Sequence, residues 1–305
     1  MNKVTIIGSL NIDTTFKVSD FPLPGETIKA LNKSSAAGGK GANQAVAAAR
    51  LGAKTTFIGK VGNDQQGKFM TKALKHEGID ISGIKIESTA GTGTADILLN
   101  ERGQNCIIVY GGANQTLTVA DLAGLSQQIA TSDFVVAQFE TPQTATVAAF
   151  KIAKAAGKTT ILNPAPASEL SPELFSLTDI IVPNESENQK LTGIKITDLS
   201  SMKKSAAKFA GLGIPKTIIT LGSQGVFYAA AGQAAQLAAF KVKTVDPTAA
   251  GDTFIGAFVA KLSPTMENFV EAINYAQKAS ALTVQRLGAQ VSIPTVAQVS
   301  QIFDF

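Results

Sequence analysis

Histidine and cysteine are nearly missing from these 305 residues, with one of each, His76 and Cys106. A single cysteine rules out an internal disulfide and fits a reducing compartment. One cysteine and one histidine also leave too few ligands for a zinc site and no pair for a Cys/His catalytic dyad. Cys106 opens the apolar run to Tyr110 and reads as a buried structural thiol; His76, between Lys75 and Glu77, reads as solvated near a helix end. Basic runs are missing too. The formal net charge is +4, and no run of Lys or Arg exceeds Lys203-Lys204, so nothing points to nucleic acid. No apolar stretch nears the length of a membrane span. Met1 to Gly8 holds an apolar run too short for a secretory signal, and Asn11 and Asp13 follow at once. There is no linker, low-complexity tract or internal repeat. The expectation is a soluble, cytoplasmic protein with no membrane partner. At this length it would bury about three quarters of its unfolded surface without cross-links.

Apolar periodicity is plentiful. A buried strand is expected at Val4 to Ile7, then a glycine-rich turn into an Ala-rich helix that stops at Gly52. Strand Thr55 to Ile58 and a helix over about Gln65 to Glu77 follow. From Thr118 helices and strands alternate regularly: helix about Val119 to Ile129, strand Phe134 to Phe139, helix about Thr144 to Ala156, strand Thr159 to Leu162. Next come strand Ile180 to Val182, a helix to about Ala210 broken near Gly193, strand Thr217 to Leu221, and a helical stretch over about Glu267 to Gln285. Such alternation predicts an α/β fold with a mostly parallel, doubly wound sheet and helices on both faces. Two β-rich excursions, one holding Pro22, Pro24 and Gly25 and one over roughly Thr92 to Gly112, predict a small extra sheet, a lid. Polar residues recur where the predicted strands end: Asn11, Asp13, Glu140, Asn184, Glu187 and Thr220. Ligands of open α/β sheets bind at the carboxyl ends of strands, and six polar residues along that edge look like a site.

Two stretches carry chemistry. In Val245 to Phe254, small residues run into Gly251 and then one carboxylate, Asp252. Ile255, Phe258, Val259 and Leu262 follow at helical spacing. The first N–H groups of a helix lack intrahelical partners and carry partial positive charge, and Ala249, Ala250 and Gly251 let an anion come close to them. An anion cradle beside a lone carboxylate suits phosphoryl transfer; an N-capping aspartate after a tight turn would look the same. In Ala37 to Ala45, three glycines allow close backbone approach to a ligand, and Lys40 and Asn43 offer donors to hydroxyls. The Walker spacing is absent: in Gly157-Lys158-Thr159 the place of the first glycine is held by Ile152.

Taken together and in order, three segments resemble the motifs of the ribokinase-like carbohydrate kinase family. They are Gly8-Ser9-Leu10-Asn11-Ile12-Asp13, Gly38-Gly39-Lys40-Gly41-Ala42-Asn43-Gln44-Ala45 and Asp246-Pro247-Thr248-Ala249-Ala250-Gly251-Asp252-Thr253-Phe254. The resemblance covers essentially the whole chain. It implies one domain over 1–305, with a lid formed by about 12–36 and 92–112. It implies transfer of the γ-phosphoryl of ATP to the 5-hydroxyl of D-ribose, in ribose catabolism. Carried over by position, Asp252 would be the general base, with Ala249, Ala250 and Gly251 as the anion hole. Asn11, Asp13, Gly39, Lys40, Gly41, Ala42, Asn43 and Glu140 would bind the sugar. Asn184 and Glu187 would arrange Mg2+ and the phosphates. Thr220, Leu221, Gly222, Ser223, Gln224, Gly225 and Gly251 would line the nucleotide site, with Gln277 near the adenine, where the family often has Asn or His. An activating monovalent cation, normally K+, would sit at Asp246, Thr248, Thr283, Arg286, Gly288 and Ser292, mostly on backbone oxygens. Pro247 departs from the more usual Thr. The family often pairs lid to lid, which implies a homodimer. Two other readings remain: a kinase of the same fold for deoxyribose, fructose or a nucleoside, and a non-catalytic sugar-binding regulator. The full Gly-Gly-Lys-Gly-Ala-Asn-Gln-Ala form and Glu140 favour a small free pentose, and intact Asp252, Asn184 and Glu187 speak against the regulator.

Overall fold

In chain order the computed structural model, which describes residues 1–302, begins with β1 (Lys3–Ile7), β2 (Asn11–Lys17), β3 (Asn32–Gly38), α1 (Lys40–Arg50), β4 (Lys54–Gly62) and α2 (Gln65–His76). Next come β5 (Asp80–Glu87), β6 (Gly93–Leu99), β7 (Asn105–Tyr110), α3 (Ser126–Ala130), β8 (Phe134–Ala137), α4 (Gln143–Ala155), β9 (Thr159–Leu162) and α5 (Pro172–Leu177). The rest is β10 (Ile180–Ile181), α6 (Glu185–Thr192), α7 (Leu199–Gly211), β11 (Lys216–Thr220), β12 (Val226–Ala230), β13 (Gln233–Leu237), α8 (Ala250–Lys261), α9 (Phe269–Thr283) and α10 (Val296–Ile302). Nine strands form one sheet in the order β13-β12-β11-β10-β9-β8-β1-β4-β5, parallel except for the two pairings made by β12. Among the described residues no helix is long and apolar enough to cross a membrane.

Strands β8 and β10 are apolar at every position because both faces are covered. In β8, Phe134 and Val136 join the core under α1, α2, α8 and α9, while Val135 and Ala137 join the core under α4 and α5. Burying each such large side chain stabilises the fold by about 1.5–3 kcal/mol. On the first face α1 and α8 touch backbone to backbone. A Cβ at Gly256 would lie 2.6 Å from Ala48 N and 2.7 Å from Gln44 O, so only glycine allows this approach. Gly256 lies one turn beyond Asp252, on the side of α8 that faces α1. That contact therefore sets how near Asp252 comes to the residues of α1.

The lid is a four-stranded sheet in the order β3-β2-β6-β7. It grows directly out of the large sheet: β1 passes through Gly8, Ser9 and Leu10 into β2, and β3 passes through Gly39 into α1. Asn114 pins the first junction. Its Oδ1 accepts from Leu10 N at 2.9 Å, and its Nδ2 donates to Leu10 O at 3.1 Å and Asn11 Oδ1 at 2.8 Å. The outer strand β7 is exposed throughout, with Ile107 53%, Ile108 67% and Val109 59% exposed.

Several expectations need correction. Cys106 is exposed on β7, because the second lid face that would cover it is not supplied by this chain's described residues. The helix expected over 119–129 is a 3-10 turn at Val119–Leu122 and then α3, parted around Gly124. The strand expected to reach Phe139 stops at Ala137, and the helix expected over 267–285 is α9, shorter at both ends. Strand β5 and the antiparallel hairpin β12–β13 were not expected at all.

Candidate active site

Three peptide segments deliver the site. The turn at Gly39, whose φ of 89° is a glycine conformation, swings the chain from β3 into α1. Lys40, Asn43 and Gln44 then project from the first turn and a half of α1. From the far end of the chain, α8 starts at Ala250 with Ala249 as its N-cap, so Asp252 stands third in the helix. The alternative of an N-capping aspartate is thereby excluded. The Asp252 carboxylate accepts from Asn43 Nδ2 on Oδ2 and from Gln44 Nε2 on Oδ1, each at 3.0 Å. Glu140, beyond β8, accepts through Oε2 from the Ser9 hydroxyl and from Lys40 N, the latter at 3.0 Å. Gln115 Nε2 holds the Glu140 backbone carbonyl at 2.8 Å.

Charge is concentrated here. Burial pushes Asp13 up to about 7, helped by Glu140 and Asp252 and opposed by Lys40. Burial likewise raises Asp252, against the pull of Lys40, Gln44 and Asn43. Burial pulls the Lys40 ammonium down, but Asp252, Glu140, Glu187 and Asp13 outweigh it and its net shift is upward. Glu187 is raised by burial, with the Asn184 backbone N–H and Lys40 working against it. One ammonium thus faces four carboxylates, an acceptor-rich arrangement whose chemistry suits hydroxyl donors.

A cavity of about 210 Å³ adjoins Asp252; Lys40, Asn163, Asn184, Glu187, Thr220 and the Ala249–Asp252 turn line it. Asn184 and Glu187 form a capping box at the start of α6. Asn184 Oδ1 accepts from Glu187 N, while Glu187 accepts from Asn184 N and Nδ2, all at 2.8–2.9 Å. An isolated bridge pairs Asn184 with Thr220, which joins the α6 start to the end of β11. In the expected anion hole the Ala250 N–H is already given to Pro247 O at 3.2 Å. No backbone acceptor among the described residues takes the Gly251 N–H, and the space above Gly251 is open. Gly222, Ser223 and Gln224 are exposed in a 3-10 turn after β11. Leu221 packs its side chain into the core, so only its backbone reaches the surface. Gly225 and Gln277 are buried, and Gln277 Nε2 has no partner among the described residues.

Of the expected cation residues, Thr248 and Gly288 meet the Asp246 carboxylate. Asp246 Oδ1 accepts from Thr248 N and Oδ2 from Gly288 N, both at 2.9 Å. Although burial raises Asp246, these bonds outweigh it and hold the carboxyl below its usual range. Arg286 N donates to Thr283 O at 3.1 Å, the Thr283 and Thr253 hydroxyls lie 3.0 Å apart, and Ser292 Oγ donates to Ala289 O at 2.7 Å. A carboxylate among backbone carbonyls and hydroxyls is a hard-oxygen set that fits an alkali cation. Arg50 fastens the far end of this loop by donating to Gln290 O and Ile293 O at 2.6 and 2.9 Å.

Five buried residues were missed: Ser9, Gln44, Asn114, Gln138 and Asn163. Each orients a group named above rather than facing the cavity alone. The available signals were the positions of Ser9 and Gln44 inside the motifs that carry Asn11 and Asn43.

A doubly wound sheet with a lid, an acidic hydroxyl pocket and a helix N-terminus beside one carboxylate defines a sugar phosphotransferase. Residues 1–296 match the pfkB family carbohydrate kinase profile, and the chain belongs to that family. It is 50% identical over 302 residues to the ribokinase of Staphylococcus aureus (strain COL), covering 99% of both chains. Identity to the ribokinase of Haemophilus influenzae (strain ATCC 51907 / DSM 11121 / KW20 / Rd) is 46% over 292 residues, or 96% of this chain and 95% of that one. The structure of Arabidopsis thaliana ribokinase complexed with ribose and ATP superposes with a TM-score of 0.93 at 31% identity, covering 100% of this chain and 99% of that one.

Proposed function

We propose that this chain is an ATP-dependent kinase of D-ribose, yielding ribose 5-phosphate and ADP. The observation that carries the reading is the Asp252 carboxylate, buried and hydrogen-bonded beside the open N-terminus of α8 and facing Lys40. Asp252 takes the proton of the 5-hydroxyl as its oxygen attacks the γ-phosphorus. The Gly251 N–H, with those of Ala249 and Ala250 once the turn adjusts, holds charge on the moving phosphoryl group. Asn11, Asp13, Gly39, Lys40, Gly41, Ala42, Asn43 and Glu140 surround the sugar. Two carboxylates among amides suit a polyol with several hydroxyl donors. Thr220 to Gly225, with Gly251 and Gln277, line the nucleotide. Holding the reactants in line is the larger part of the catalysis, and the lid excludes water.

Asn184 and Glu187 would hold Mg2+ through water, since the capping box occupies their direct bonds; the ion would neutralise phosphate charge. Asp246, Thr248, Thr283, Arg286, Gly288 and Ser292 would hold K+, which would fix the loop that feeds α8. The chain acts as one domain with its lid, in the cytoplasm. It pairs with a second copy through β7, whose apolar exposure supports that reading. The test is ADP release with ATP and Mg2+ across ribose, 2-deoxyribose, fructose and adenosine, with and without K+. Fast turnover on ribose that rises with K+ is expected. Preference for another acceptor moves the substrate and keeps the chemistry, and no turnover with ATP still bound makes the regulator the better reading.

A further inference from the structure

Two amides meet the Asp252 carboxylate, and they differ in how firmly each is held. Gln44 has every bond satisfied. Its Nε2 donates to Asp252 Oδ1 at 3.0 Å and Asn163 Oδ1 at 3.2 Å, and its Oε1 accepts from Gln138 Nε2 at 2.6 Å. Asn163 is fixed in turn, donating Nδ2 to Val182 O at 2.9 Å. Turning the Gln44 amide over would break all three of its bonds and set oxygen against oxygen at Asp252. Asn43, by contrast, holds Asp252 Oδ2 by one bond, and its own buried Oδ1 has no partner among the described residues. Gln138 is wholly buried and leaves its Oε1 unpaired. An apolar residue there would avoid that penalty, so the position calls for an explanation other than packing.

We propose that Gln138 and Gln44 form a positioning relay that commits Oδ1 of Asp252 to a fixed hydrogen bond and leaves Oδ2 as the oxygen that takes the substrate proton. This rests on the reading of Asp252 as the base. In the step, the sugar O–H bond breaks and its proton goes to Oδ2. The freed electron pair forms the bond to the γ-phosphorus as the bond to the ADP oxygen breaks. The charged groups facing Asp252 are Lys40 from α1, Glu140 beyond β8, Asp13 from β2 and Glu187 from α6. None of them hydrogen-bonds to the Gln138 side chain, whose donor goes to Gln44. The Gln44 bond favours the charged form of Asp252, so a relay that lets the Gln44 amide turn makes the base harder to ionise.

The test uses the intact chain and the pH dependence of kcat/KM, whose acidic limb reports the base of the free enzyme. Gln138→Glu keeps the size but only accepts, so Gln44 turns to donate to it and shows Oε1 to Asp252; Gln138→Leu removes the donor. In both the acidic limb moves up by about one pH unit. Activity on that limb then falls by up to about tenfold, activity on the plateau above it falls by less than about threefold, and KM for ribose moves less than kcat. A loss that is equal at every pH overturns the relay and leaves Gln138 a packing residue. Asp252→Asn is measured alongside. If it keeps full turnover, the base reading itself fails; if it loses turnover while the Gln138 limbs stay put, only the relay fails. Should neither Gln138 variant fold, side-chain amide NMR of the unsubstituted chain decides. Slow exchange at Gln44 Nε2 that survives ribose binding, while Asn43 shifts, supports the relay, and protection lost at Gln44 overturns it.

Discussion

Strand β8 of the large sheet and strand β7 of the lid are both short and apolar, yet β8 is buried at every position and β7 at none. The residue types are nearly the same. What differs is whether helices of the same chain lie over the strand, and no local pattern encodes that. The buried strand ends beside Gln138 and Glu140, so its rigidity is passed on to the site. The exposed strand lies on the outer edge of the lid, away from Asn11 and Asp13 on β2. Stability is therefore concentrated in one sheet and accessible apolar surface in the other.

The sharpest way to break this comparison is to remove chemistry without touching either sheet. Asp252→Ala should lower turnover by at least about 10²-fold while ribose binding, read by calorimetry, largely survives; near-normal turnover would take Asp252 out of the base role. Next in size, Phe134→Ala in β8 should destabilise by about 3–5 kcal/mol in a urea midpoint shift, because a wholly buried ring leaves a cavity. Gly256→Val, at the backbone contact of α1 and α8, should cost about 1–3 kcal/mol and also lower turnover, since it moves Asp252 away from Asn43 and Gln44. A smaller effect belongs to pH. With Asp13 at about 7 in the free chain, it becomes the full acceptor that the proposed sugar role needs only above that point. Ribose affinity should therefore be about tenfold weaker at pH 6 than at pH 8, and Asp13→Asn should flatten the curve. The same group acts on folding with the opposite sign. The folded chain holds this proton above the pH at which the unfolded chain loses it, so its contribution to stability falls as pH rises from about 4 to 7. The smallest change in unfolding is expected from Ile108→Asp in β7, within about 0.5 kcal/mol for the monomeric chain. If two copies pair through β7 as proposed, its effect appears in sedimentation as a shift to single chains; a dimer left unchanged would place the interface elsewhere.

The parallel strands were legible because runs such as Val4 to Ile7 and Thr159 to Leu162 are apolar, β-branched and closed by polar or glycine residues. The lid strands were legible as excursions from the helix–strand rhythm. Strand β5 was hidden because it is an edge strand with Gly83 and mixed polarity. The hairpin β12–β13 was hidden because β13 is mostly alanine and glutamine and its turn is Ala231-Gly232, with Ala231 itself at φ 51°. At the site, most of the residues expected to bind or react sat in short motifs, and of those that orient them only Ser9 and Gln44 did. Gln138 meets Gln44 across 94 positions and Gln44 meets Asp252 across 208. Such partners are supplied by tertiary packing, which a reading of neighbours along the chain does not reach.

The seam between the two sheets has a further consequence. Asn11 and Asp13 ride on lid strand β2, whereas Asn43, Glu140 and Asp252 are anchored to the body. A sugar that engages both sets is gripped from two pieces at once, so it works as a fastener: its hydroxyls rivet the flap to the frame. On the proposed reading the bound sugar itself would hold the lid to the body, whereas a lone water molecule, though a possible phosphoryl acceptor, would leave the two untied.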